Sequence, residues 1–302
     1  MTAAMPVAPV PAAPRPSPSS AAALPPQSVL PSLLPKDVRR EVQKEIKNLE
    51  SGDQVVAIKA AAALVMLARL PDATPFLPAA ITRLIPFLHD STLSVHLQRN
   101  ACAALTAIMT CDPSLYLAAA KAPTLALGLV RCLKGEPESQ VDSGLQLNAA
   151  AALSVLAQQE EGLGPIQDAE ADSAVISALT SAKDAQVKEE VVDALCALSS
   201  HENMRSRIVQ KGAVSQLACV IQDASPEVCV RTLLALGMLC GSSSEAQVEL
   251  AGVDGAVDTL LALMKSSDHD IKSISQDLFR ALTLNQKVRP LLEHHFRHLL
   301  PE

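Results

Sequence analysis

A short motif of the form Ala-Leu-x-x-Leu returns six times along the chain, and its spacing restricts the fold more than any other feature. It reads Ala63-Leu64-Val65-Met66-Leu67, Ala104-Leu105-Thr106-Ala107-Ile108, Ala152-Leu153-Ser154-Val155-Leu156, Ala194-Leu195-Cys196-Ala197-Leu198 and Ala235-Leu236-Gly237-Met238-Leu239, and it degenerates to Asp277-Leu278-Phe279-Arg280-Ala281. The anchor leucines follow one another at 41, 48, 42, 41 and 42 residues. A unit of this length cannot bury its apolar face alone and must cover it with its neighbours, so the chain is expected to be a helical solenoid.

The register extends beyond the leucine. Four residues before each anchor stand Ala60, Ala101, Ala149, Val191, Thr232 and Ile274; eight before stand Val56, Leu97, Leu145, Val187, Val228 and, out of pattern, Asp270. With the residue three places after the anchor, these form one stripe of a helix, predicted to face the core in every unit. The small residues at the fourth position back allow neighbouring helices to approach closely.

Composition fixes the class. Hydrophobic residues make up 49%, dominated by Ala and Leu, while aromatics are 2% and Trp is absent. Such a chain favours helix over strand and is expected to be all-α. A formal charge of −7 gives no broad attraction to nucleic acid or anionic lipid, and no apolar run reaches the length of a transmembrane helix. Neither nucleic acid nor membrane is expected as a partner. The seven cysteines include no CxxC pair, and Cys102, Cys196, Cys229 and Cys240 fall within predicted helices as small core residues, which fits a reducing compartment and a cytoplasmic location.

Residues 1–35 differ in kind, holding ten of the 21 prolines. They are expected to form an extended, unpacked tail, with a transit peptide or polyproline ligand as alternatives. Order is expected from residue 36, where Val38, Val42, Ile46 and Leu49 make an amphipathic stripe that Ser51-Gly52-Asp53 ends. Later intervals hold further helices, as in Ile208-Val209-Gln210-Lys211-Gly212-Ala213-Val214-Ser215-Gln216-Leu217, followed by a polar turn, Val187-type packing and the Ala-Leu helix. This unit of a short helix, a longer one and the Ala-Leu helix resembles the armadillo repeat. The resemblance covers residues 36–302 and implies a right-handed α-solenoid of about six repeats, with a HEAT-like array as the structural alternative. The glycine between first and second helices, at Gly212 and Gly255, favours the armadillo type. The earlier units lack it (Ala79-Ala80, Ala122-Pro123, Ala171-Asp172), so their first helices are expected to be poorly formed. The long interval carries an acidic insertion within residues 134–144, expected to be a surface loop.

No catalytic signature is present: no phosphate-binding loop, nucleophile elbow or HExxH motif occurs. His294, His295 and His298 include an i, i+4 pair, a spacing zinc can use. A solvated helix face is the plainer reading, and no metal or cofactor is expected. His96 and His201 read as surface residues. The chain is expected not to be an enzyme.

In armadillo folds the third helices line a concave groove, and the resemblance points to positions five and two before and two after each anchor. These are Lys59, Ala62 and Met66; Asn100, Ala103 and Ala107; Asn148, Ala151 and Val155; Glu190, Asp193 and Ala197; Arg231, Leu234 and Met238; Ser273, Gln276 and Arg280. The Trp and Asn columns of the nuclear-import adaptors and the Lys/Arg lining of the catenins are missing. The floor is mostly small and apolar, suited to an apolar peptide or helix, with Arg231 placed to meet a ligand carboxylate. The functions implied are a protein-binding scaffold or adaptor, for instance in a ciliary or other cytoskeletal assembly, or an armadillo-type cofactor of an Hsp70 chaperone.

Overall fold

The computed structural model describes residues 35–135, 142–222 and 224–297, with no side chain described beyond residue 293. The proline-rich tail, residues 136–141 of the acidic insertion and the side chains of His294, His295 and His298 lie outside the described residues.

Helices α1 (Pro35–Leu49) and α2 (Gln54–Leu67) open the array. A 3-10 segment (Pro71–Phe76), α3 (Pro78–Leu84, extended by a 3-10 turn over Ile85–Leu88) and α4 (Val95–Cys111) form the next unit. Three helices then recur per unit: α5 (Pro113–Ala120), α6 (Leu125–Lys134), α7 (Ser143–Leu156); α8 (Glu160–Asp168), α9 (Ala171–Ser181), α10 (Ala185–Ser200); α11 (Glu202–Gln210), α12 (Ala213–Val220), α13 (Pro226–Ser242); and α14 (Ser244–Gly252), α15 (Ala256–Leu263), α16 (His269–Leu284). Helix α17 (Arg289–Arg297) follows. The described residues are all-α, without strands, and no single described helix is long and apolar enough to cross a membrane.

Each third helix starts at an Asp or Ser. Asp53, Ser94, Asp142, Asp184, Ser225 and Asp268 all accept a hydrogen bond from a backbone N–H of the following turn, so the start of every repeat-defining helix is written locally. The third helices pack in order, α2 on α4, then α7, α10, α13 and α16. All six anchor leucines are buried. So are Ala60, Ala101, Ala149, Val191 and Thr232 at the fourth position back, and the hydroxyl of Thr232 donates to Val228 O at 2.7 Å. The last unit departs from the expected stripe. Ile274 is half-buried, and Ile271, Ser275, Leu278 and Leu282 face inward instead. With Asp270 eight residues before the anchor, the stripe turns to the adjacent helical row, where Ile271 supplies apolar surface.

The first helices also correct the sequence reading. The unit that ends in α4 has only the 3-10 segment as its first helix, but α5 and α8 are regular helices. Proline at the first position and the Asp112 cap set α5. Before α9 the chain takes the left-handed turn with Glu170 (φ 50°) where Gly212 and Gly255 (each φ 76°) serve the later units.

Polar ties join the units. The Tyr116 hydroxyl is buried and donates to Leu156 O at 2.6 Å; burial, with Glu161 nearby, pushes its pKa up to about 12. Gly162 lies beside that hydroxyl, where a Cβ would fall 2.5 Å from the Tyr116 oxygen and 1.9 Å from Leu156 O. His201, expected on the surface, is part-buried, and its Nε2 meets Ala157 O at 2.8 Å. Both side chains meet carbonyls at the end of α7, which the helix itself cannot satisfy. Asp172 is fully buried and is paired with Arg207 Nε and with Lys211 Nζ at 2.9 Å.

Candidate concave partner site

The groove positions sit on the third helices as rows that cross the array from unit to unit. Lys59 and Arg280 are exposed at its two ends, while Met66, Leu234 and Met238 are half-buried, with part of each side chain facing solvent. The small residues Ala103, Ala107, Ala151 and Ala197 are also half-buried and floor the middle. Val155 corrects the expectation. It is buried, because α7 is packed closely on both α4 and α10 and covers the branched side chain.

The row five residues before the anchors makes rungs between consecutive third helices. Asn100 Nδ2 donates to Ile58 O at 3.1 Å, and Asn148 Nδ2 donates to Arg99 O at 3.1 Å. In both cases the acceptor lies six residues before the anchor of the preceding unit. These side-chain amides hold the scaffold together. In the unit of α13, Arg231 reaches the equivalent residue, Glu189, through Nη1 at 2.5 Å, and its Nε pairs with Asp193 at 2.9 Å. Arg231 is therefore not the unengaged guanidinium expected to meet a ligand carboxylate. Opposite charge stood one repeat period away in the sequence, and that was the signal for the pair.

Glu190 completes the cluster. Burial, then Asp193 and Glu189, raise its carboxyl to about 7. Burial likewise raises Asp193 to about 6 against the pull of Arg231, with Glu189 adding to the rise. Beside them, burial and Asp193 push the Cys196 thiol up to about 11, so it is a neutral packing group rather than a nucleophile. Cys102, Cys229 and Cys240 are buried. Among the described residues no group of three or more His, Cys, Asp or Glu side chains is placed to hold a metal ion.

No protein-family model and no curated protein matches the chain. Solved structures do. A computationally designed armadillo repeat protein for modular peptide recognition is similar at a TM-score of 0.70, with 22% identity over 80% of this chain and 99% of its own. Two engineered proteins each match at a TM-score of 0.71: one at 22% identity over 80% of this chain and 98% of its own, the other at 25% over 81% and 97%. The fold is of the armadillo-repeat type. The three-helix armadillo unit sets aside the HEAT-like alternative, and at these identities the likeness speaks for the fold alone.

Proposed function

We propose that this armadillo-type solenoid is a non-enzymatic protein-binding scaffold whose concave face takes an apolar peptide or helix. The observation that carries the reading is the continuous ladder of third helices. It presents a row of small and apolar side chains, Met66 to Met238, that the fold leaves partly uncovered apart from Val155. A designed armadillo repeat protein similar at a TM-score of 0.68 was solved in complex with the peptide (KR)4, which supports the groove of such a solenoid as a place for an extended segment. Leu234 and Met238, one turn apart on α13, are the strongest apolar anchor. Methionine adapts its shape to a partner, and Ala197 on the preceding third helix leaves room for the ligand backbone.

The test is capture of partners on the immobilised chain, followed by affinity measurements on the Leu234→Ser/Met238→Ser variant. Binding is expected to weaken by more than about 1.4 kcal/mol, a tenfold change, with thermal unfolding unchanged. Undiminished affinity would move the site off the concave face. The captured partner also separates the two settings: cytoskeletal or axonemal subunits favour a structural adaptor, and an Hsp70-type protein released by nucleotide favours the chaperone cofactor.

A further inference from the structure

The rungs between third helices carry an inference of their own, concerning a joint that stands whether or not the groove holds a partner. Asn100 and Asn148 each donate a side-chain N–H to the backbone carbonyl six residues before the preceding anchor, both at 3.1 Å. At the next step the same position is Glu190, and the carbonyl in register is that of Leu147 on α7. An ionised carboxylate has no proton to donate and sets two acceptors against each other; a carboxylic acid has the donor that the asparagines use. Among the described residues Glu190 receives no ion pair, since the one guanidinium nearby, on Arg231, is taken by Glu189 and Asp193.

The carboxylates around Glu190 all work in one direction. On α10 itself, Asp193 and Glu189 oppose ionisation of Glu190, and Arg231 on α13 offsets them only in part. Helix α7 has no ionisable side chain. Helix α9 has only Asp172, which is tied to Arg207 and Lys211; Glu202 and Arg205 on α11, Glu227 on α13 and Lys188 on α10 are not among the groups acting on Glu190.

We propose that Glu190 is a proton-dependent rung: protonated, its O–H donates to the Leu147 carbonyl as Asn100 and Asn148 donate to theirs, so the joint between α7 and α10 tightens as pH falls and loosens as it rises. The sign follows from linkage. The folded-state pKa of about 7 lies above the ordinary carboxyl range, so the stability contribution is full below the unfolded pKa and is lost as pH rises through neutrality.

Thermal melts of the full chain and of Glu190→Gln and Glu190→Ala, from about pH 4 to about pH 8.5 at fixed ionic strength, test this. Glutamine keeps a donor at every pH. The Tm of Glu190→Gln minus that of the parent is expected to be near zero at the acid end and to open to several degrees at the alkaline end. Glu190→Ala, which has no donor, should lie below Glu190→Gln throughout. A difference curve that stays flat with pH would overturn the proposal, as would a glutamine variant no more stable than the alanine one.

Discussion

At the residue scale the informative side chains are polar groups that tie one repeat to the next. Tyr116 is one. Its hydroxyl satisfies Leu156 O, a carbonyl at the end of α7, and phenylalanine would keep the packing while leaving that buried acceptor unpaired. Tyr116→Phe is expected to cost about 1–3 kcal/mol in denaturant unfolding; a neutral result would mean that water replaces the hydroxyl. Glu170 matters for its backbone instead, since its left-handed conformation (φ 50°) costs a non-glycine residue about 1–2 kcal/mol. Its charge near the start of α9 returns about 0.3–1 kcal/mol through the helix dipole. The strain is the larger of the two, so Glu170→Gly is expected to stabilise by about 0.5–1 kcal/mol, and a loss of stability would show that the charge dominates. Neither role is legible in the sequence, because a glutamate carries no signal for a left-handed turn and the tyrosine's partner lies 40 residues away.

Between elements, the joints differ in what holds them. Leu195 is fully buried at the centre of α10, between α7 and α13. Leu195→Ala is expected to cost about 2–5 kcal/mol through lost burial and a cavity, read as a shift of the denaturation midpoint, and a variant as stable as the parent would refute the core position. The α9–α11 joint is electrostatic. Burial would raise the Asp172 carboxyl, but its hydrogen bonds to Arg207 and Lys211 hold it below the usual range. Its contribution is therefore present above the ordinary carboxylate pKa and is lost as pH falls through the depressed one. The melting temperature of the parent should drop steeply below about pH 4, and that of Asp172→Asn less so. Equal slopes would remove Asp172 from the acid transition. The helix ladder and its anchors were readable in advance, since the Ala-Leu period fixes which residues face the core. The partners of Asn100, Asn148 and Arg231 are not legible from one unit alone, because a helical wheel assigns a face but not the neighbour across it. Only the comparison of consecutive units in register shows that each of these residues points to the row six before the previous anchor.

Across the whole molecule, a solenoid has stability distributed along its axis, each unit holding only through its neighbours. The six repeats, the amphipathic α1 and the break at Ser51-Gly52-Asp53 follow from periodicity and turn chemistry. The distribution of strength does not, because it depends on how many neighbours each helix has. Helices α7 and α10 are covered on both sides by other third helices, and in them the residues at and around the anchor are nearly all buried. Helix α16 has a third-helix neighbour on one side only and buries just Ile271, Ser275, Leu278 and Leu282. Amides in helices packed on both sides exchange only through large cooperative openings, whereas a terminal helix frays at lower free energy. Hydrogen exchange of the native chain is therefore expected to show a gradient, with the strongest protection in α7 and α10 and the weakest in α16 and α17. Leu195→Ala should lower protection in α7 and α13 together with α10, because the interface lost is shared. Uniform protection along the array would mean that the solenoid opens as a single unit. Protection lost in α10 alone would mean that neighbouring repeats are not energetically coupled.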